Sequence, residues 1–117
     1  MANTTIINLE NYRVKANGVK SKVFTGRDRG AEVRKASKID SLEAQYDHIE
    51  IVVPSDIYSI NPSFFEEFLR NVVNKIGEEE FLKRFTLKSE GQFDYTTKLL
   101  EAIDRILNSK TAIGKTI

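Results

Sequence analysis

The sequence contains no cysteine and only one histidine, His48. Without cysteine the chain has no disulfide, no thiolate nucleophile and no thiolate ligand for zinc or an iron–sulfur cluster. A lone strand histidine is usually a packing or surface residue, and no nucleophile-elbow motif accompanies it to suggest a Ser-His-Asp triad. A mixed histidine–carboxylate metal site stays open. We therefore expect no enzyme activity, and we assign no catalytic, metal-binding or cofactor-binding residue.

Long apolar runs are absent as well. No stretch of about 18 apolar residues could span a membrane, and the start, MANTTIINLE, lacks the basic and apolar regions of a signal peptide. The absence of cysteine fits a reducing compartment, so we expect a cytoplasmic protein without membrane contact. The length of 117 residues, with 40% hydrophobic and 30% charged residues, suits one soluble domain.

Neither sign of charge dominates the whole chain, but the charges are unevenly distributed. The net charge is +1, yet residues 1–38 hold nine basic and three acidic residues, whereas residues 39–82 hold two basic and ten acidic ones. Such a chain can present opposite poles to a protein partner. Alternatively, folding interleaves the charges and the poles vanish.

Turn and strand signals near the N-terminus predict a β-hairpin or a long β-arm. Residues 4–10 and 19–24 have strand-like patterns, and Asn17-Gly18 between them is a strong turn signal. The pI of 7.9 and the acidic middle of the chain argue against a nucleic-acid partner. Four cations of the arm, near Tyr12 in the sequence, could otherwise contact nucleic acid: Arg13, Lys15, Lys20 and Lys22.

The remaining patterns alternate between helix and strand. Helices are predicted within residues 27–38, 59–77 and 93–107, and strands over residues 48–54 and 85–88. Residues 39–47 are predicted to be a connection, with room for one short turn of helix. The apolar run that ends at Pro54 predicts a central strand buried on both faces. Gly30 either weakens the first helix or permits close packing against the sheet.

The order β-β-α-β-α-β-α predicts a single small α/β domain. We expect a largely parallel or mixed sheet flanked by helices over residues 1–107, followed by a flexible tail over residues 108–117. The helix within residues 59–77 has Glu66 and Glu67 on its polar face. Its apolar stripe consists of Phe64, Phe65, Phe68, Leu69, Val72, Val73 and Ile76.

The start of this helix, INPSFF, allows two interpretations. In the first, Asn61 is the N-cap and Pro62 the first helical residue, so that a phosphate on Ser63 would meet the positive end of the helix dipole. In the second, Ser63 is itself the N-cap, and Glu66 completes a Ser-x-x-Glu capping box.

Three stretches of the chain resemble the STAS-like family of bacterial proteins of unknown function. They are TGRDRG, the strand IEIVVP, and INPSFFEEF followed by GEEEF, and the resemblance spans roughly residues 24–107. The family is similar to anti-sigma-factor antagonists of the STAS superfamily. The resemblance implies a mixed sheet flanked by helices and a non-enzymatic role in binding a protein partner, often a kinase-like ATPase that acts as an anti-sigma factor.

In STAS antagonists, a serine or threonine at the start of the helix after the central strand is the phosphorylated switch. By position Ser63 matches this residue, and Ser59 is the second candidate. The chain has Asn61-Pro62-Ser63 where those antagonists have Asp-Ser-Ser. The expected binding face comprises the start of the Ser63 helix, the loop from Ser55 to Ile60, and the turn with Arg27 and Arg29.

Two other functions stay open. The chain could be an inhibitor or structural interaction protein without a switch, acting through complementary charged faces. It could also be a small enzyme or nucleotide binder that uses the turn Thr25–Arg29, which matches neither the P-loop nor the dinucleotide fingerprint.

Overall fold

A parallel three-stranded sheet lies at the centre of the computed structural model, which describes residues 3–91 and 94–115. In chain order the elements are β1 (Thr4–Asn8), a 3-10 helix (Leu9–Tyr12), β2 (Lys15–Ala16), β3 (Val19–Lys20), β4 (Val23–Phe24), α1 (Arg27–Ser37), α2 (Ile39–Gln45), β5 (His48–Val53), β6 (Ser59–Ile60), α3 (Pro62–Arg84), β7 (Phe85–Ser89) and α4 (Thr96–Lys115). The main sheet has the order β1-β5-β7. The α/β class and the largely parallel sheet flanked by helices are confirmed.

One face of the main sheet is buried and the other faces solvent. The buried side chains of all four helices join one hydrophobic cluster with the sheet residues Ile7, Ile49, Ile51, Val53, Phe85 and Leu87. On the opposite face Ile6 is 60% exposed, and His48 donates or accepts a 2.7 Å hydrogen bond with Thr86. The burial of β5 alternates along its first half and is continuous from Ile51 to Val53, as its sequence pattern predicts.

The N-terminal strands pair differently from the prediction. β1 pairs in parallel with β5, whereas the hairpin is confined to β2 and β3. The predicted turn is confirmed, with positive φ angles of 54° at Asn17 and 78° at Gly18. The segment 19–24 divides into β3 and β4, and β4 pairs in parallel with β6. The protein therefore has more strands than predicted, because a strand of two residues is too short to show an alternating pattern.

The central helix, α3, carries the largest part of the core. Its predicted apolar stripe is confirmed, since Phe64, Phe65 and Phe68 are fully buried, and Phe64 also contacts the Phe24 ring at a centroid distance of 5.1 Å. Gly77 interrupts α3 with φ 82° and ψ 168°, which a glycine can adopt without strain, and helical structure then resumes up to Arg84. The interruption coincides with the predicted end of this helix at residue 77.

Two other helices differ from the sequence prediction. Residues 39–47, predicted to be a connection with room for one short turn of helix, contain the longer, seven-residue helix α2, whose Ile39 is fully buried. The last helix, α4, starts at Thr96 and continues past Leu107 to Lys115. Phe93, predicted to begin this helix, lies outside the described residues, and the flexibility of residues 108–117 stays a prediction.

Gly30 lies where the backbones of α1 and α3 come close together. A Cβ atom built on Gly30 would lie 2.4 Å from the backbone oxygen of Phe64 and 2.9 Å from Cβ of Glu67. The glycine therefore permits close packing, as one of the two sequence interpretations held, but it does so against α3 and not against the sheet.

We predict that Gly30→Ala destabilises the protein. In an exposed helix interior this change usually stabilises by about 1 kcal/mol, but here the added methyl group meets a backbone carbonyl that cannot move without shifting α3. We expect a loss of about 1–3 kcal/mol, as for other overpacking substitutions, measured by urea unfolding. Lys35→Ala, on the exposed side of α1, is the control and should be nearly neutral; a Gly30→Ala protein as stable as the wild type would contradict the close packing.

Candidate partner-binding face

Two parallel strands and the helices that follow them form one end of the domain. Val23 pairs with Ser59 and Phe24 with Ile60, and the Asn61 amide donates to the Phe24 carbonyl at 3.0 Å. The carboxyl ends of β4 and β6 therefore lie side by side, and α1 and α3 begin just beyond them. We call residues 25–29 and 55–63 the candidate face.

The start of α3 agrees with the first interpretation of INPSFF. Asn61 is the N-cap in extended conformation, and its carbonyl accepts from the amides of Phe64 (3.1 Å) and Phe65 (3.4 Å), although its side chain makes no capping bond. Pro62 is the first helical residue, which places Ser63 second. The capping-box interpretation is wrong, because Ser63 lies inside the helix and Glu66 contacts arginines instead.

Ser63 and Ser59 occupy different environments. Ser63 is half-buried, and within residues 3–91 and 94–115 its hydroxyl has no hydrogen-bond partner. Ser59 is also half-buried but belongs to β6, where its backbone is part of the ladder with β4. A hydroxyl near a helix start, without a structural bond to break, can accept a modifying group at little cost to the fold.

Arg27, the first residue of α1, lies close to the start of α3. Its side chain is 55% exposed, and its Nη1 atom lies 2.8 Å from Oε1 of Glu66 and 3.7 Å from Oε2 of Glu67. These glutamates follow Ser63 by three and four residues, which is about one helical turn, or about 5.4 Å along the axis. The fold thus brings Arg27 within about one turn of Ser63.

Glu66 does not lie on an exposed polar face as the sequence predicted. Its side chain is 7% exposed, and Arg70 contributes a second ion pair at 3.2 Å. A buried carboxylate of this kind needs cationic partners: Arg27 ties the start of α3 to α1, and Arg70 pairs with Glu66 from within α3.

Arg29 points to a different part of the molecule. It pairs with Glu32 at 2.6 Å and donates to the backbone carbonyl of Tyr12 in the 3-10 helix. The candidate residue Arg29 is therefore a link between α1 and the N-terminal segment, and the structure brings Arg27, not Arg29, to Ser63. A surface depression of about 530 Å³ beside this turn is lined by residues of both charges: Thr25, Gly26, Arg27, Asp28, Arg29 and Glu32.

Arg13 holds the loop of the candidate face in place. Its side chain is only 2% exposed and makes two hydrogen bonds to Asp56, of 2.8 and 2.9 Å, and two to the Ser21 carbonyl. Glu10 provides another ion pair at 2.9 Å. Sequence reasoning missed this clamp because Asp56 lies 43 residues away and no local pattern links the two residues.

The contacts of Arg13 and Glu10 also reduce the number of unpaired cations on the N-terminal arm. Arg13 is buried, and Lys20 pairs with Glu10. Lys15 and Lys22 are exposed and form no ion pair with any residue that the structure describes. Two exposed lysines offer few phosphate contacts, and the absence of a nucleic-acid partner stays a prediction.

The comparisons with known proteins support the STAS-like resemblance. A family model described as a STAS-like domain of unknown function matches residues 55–92, which include β6, α3, β7 and the loop of the candidate face. The chain is therefore similar to STAS-like domains, which are generally non-enzymatic regulatory domains. Comparison with curated proteins and with solved structures gave no match. No helix within the described residues is long and apolar enough to cross a membrane.

We predict that the clamp makes stability depend on pH. Hydrogen bonds from Arg13 lower the pKa of Asp56, so the stabilisation is present above the usual pKa of aspartate, about 3.9, and is lost as the pH falls through the lower folded-state pKa. Asp56→Asn should therefore be less stable than the wild type in urea unfolding at pH 7, and the difference should shrink as the pH falls to about 3.

The control for this experiment is Glu78→Gln, which removes an exposed carboxylate outside the clamp. It should leave stability nearly unchanged at both pH values. An Asp56→Asn difference of equal size at both pH values would show that the charge of Asp56 is not what holds the loop.

Proposed function

We propose that this protein is a non-enzymatic regulatory module that resembles an anti-sigma-factor antagonist and binds a protein partner through the candidate face. Phosphorylation of Ser63 is the proposed switch. The observation that carries the proposal is the half-buried Ser63 hydroxyl, which makes no hydrogen bond within the described residues and lies inside the segment that matches the STAS-like model.

The charges at the start of α3 can accommodate a phosphate that is added to Ser63 and later removed. A phosphate adds a charge of about −1.5 to −2, and on Ser63 it would lie at the positive end of the α3 dipole. Glu66 and Glu67 would repel it, whereas the exposed guanidinium of Arg27 could turn to it from the same helical turn. The modified protein therefore stays folded.

The switch acts on the partner and not on the fold. In the unmodified state the partner packs against a neutral hydroxyl beside the loop 55–60. After modification the same surface carries a dianion, and enclosing an unpaired charge in a packed interface costs several kcal/mol. Phosphorylation thus releases the partner.

The resemblance points to a kinase-like ATPase as the partner. Such a protein could both bind the candidate face and modify it, by transferring the γ-phosphoryl group of ATP to Oγ of Ser63 with release of ADP and the hydroxyl proton. We choose Ser63 over Ser59 because Ser63 lies at the start of α3, whereas the backbone of Ser59 belongs to the ladder with β4.

A second candidate is an inhibitor or structural interaction protein that has no switch. Exposed charges favour it: Lys15 and Lys22 lie on the arm, and Glu78 and Glu80 lie beyond Gly77. The helical stretch from Pro62 to Ile76, which precedes Glu78 and Glu80, is about 20 Å long at about 1.5 Å per residue. Binding through these groups alone would weaken steeply with salt and would not respond to Ser63.

The partner is to be identified by affinity capture from the native host, with mass spectrometry of both the captured proteins and the phosphorylation state of Ser63. Calorimetric titration of the purified partner then measures the effect of each substitution. The salt dependence of the same titration separates the two candidate functions.

We predict opposite effects of two substitutions at Ser63. Ser63→Ala should change stability by no more than about 0.5 kcal/mol, because no hydrogen bond is lost, and should keep the affinity for the partner while resisting regulation. Ser63→Asp should stay folded, since an acidic residue suits a helix start, but should bind the partner at least about tenfold more weakly.

The matched control is Thr97→Asp, which places the same charge at the second residue of α4, where the side chain is exposed. It should leave the affinity for the partner unchanged. Equal affinities for the wild type and Ser63→Asp would rule out the switch, and binding that persists in all three variants but falls steeply with salt would favour the second candidate.

A further inference from the structure

The outer edge of β1 has no partner strand. The main sheet ends at β1, which pairs with β5 only. Among the described residues no loop backbone forms a hydrogen bond with the five residues Thr4–Asn8. The outward amide and carbonyl groups of an edge strand form a template on which another strand can pair.

β1 lacks the features that usually protect an edge. Its sequence, TTIIN, has no charged residue, no proline and no glycine, and the side chain of Ile6 is 60% exposed. β7, at the opposite edge, is better protected. It carries the exposed Lys88, and the Tyr95 hydroxyl donates to the Leu87 carbonyl at 2.7 Å. The contrast marks β1 as the edge that is open to pairing.

We propose that β1 pairs antiparallel with β1 of a second copy of this chain across a two-fold axis. A two-fold contact brings the same surface of both copies together. An axis through Ile6 places the two Ile6 side chains opposite each other and matches Thr4 of one copy with Asn8 of the other, so that all five residues pair. The result is a continuous six-stranded sheet.

The composition of β1 favours pairing with a second copy of this chain. Antiparallel self-pairing places identical or equivalent side chains face to face, which is destabilising when they carry like charges. No residue of β1 is charged, so self-pairing meets no such repulsion, and it removes two exposed isoleucine side chains from water. Five paired residues bury less than the roughly 800 Å² per partner of a standard interface, so the dimer is weak and depends on concentration.

The dimer leaves the candidate face open. β5 runs parallel to β1, and its carboxyl end leads into the loop 55–58. The antiparallel axis therefore directs the two candidate faces to opposite ends of the dimer. Dimer formation is independent of Ser63 and can be tested without the partner.

Sedimentation equilibrium from about 10 μM to 1 mM tests the proposal. The wild type should change from monomer to dimer in this range. Ile6→Glu and Ile6→Lys each place like charges opposite each other and should weaken the dimer at least about tenfold, whereas an equimolar mixture of the two should restore it. Val19→Glu, at a similarly exposed valine of β3, is the control and should dimerise like the wild type.

A crosslink tests the register. The chain has no cysteine, so Ile6→Cys introduces a single thiol, and directly opposed residues of antiparallel strands place their Cβ atoms close to disulfide range. Mild oxidation should link Ile6→Cys chains at concentrations where Val19→Cys chains stay monomeric. A wild type that is monomeric throughout, an Ile6→Glu variant that dimerises like the wild type, or a mixture that does not reassociate would overturn the proposal.

Discussion

The contact of Gly30 with the Phe64 carbonyl determines how the candidate face is built. Because no side chain separates the backbones there, α1 and α3 lie close enough for their first turns to meet. Arg27 lies one turn before Gly30 and can therefore reach Glu66 and Glu67. With a larger residue at position 30, α1 would move outward, and the arginine would lose both the buried carboxylate and its place beside Ser63.

The charge segments of the sequence largely neutralise one another in the fold. Basic residues of the N-terminal part pair with acidic residues of the middle part at Arg13–Asp56, Arg27–Glu66 and Arg34–Glu67. This arrangement agrees with the interleaved alternative considered for the sequence. The ion pairs also tie the candidate face together, since each of them joins an N-terminal element to the segment that begins at Ser55.

The sequence predicts the long elements well because hydrophobic periodicity reports burial over several turns. The stripe of α3, the helix α1, the central strand β5 and the turn at Asn17-Gly18 are all confirmed. The Asn61-Pro62 helix start is confirmed as well, because capping depends on neighbouring residues.

Contacts between distant residues are what the sequence does not predict. The two-residue strands β4 and β6 exist only because they pair with each other, and the Arg13–Asp56 clamp joins segments with no shared pattern. The parallel pairing of β1 with β5 likewise depends on the crossover through α1 and α2. Of the expected site residues, Arg27 and Arg29 are two residues apart in the sequence, yet of these two only Arg27 pairs with α3.

We propose that the partner binds where α1 and α3 begin. Amide hydrogen exchange of the chain, with and without its purified partner, tests this most directly, because exchange slows where an interface excludes water and restricts opening. We expect slower exchange in residues 25–29 and 55–67 and little change in residues 78–83. Protection confined to residues 78–83, with none in residues 55–67, would contradict it.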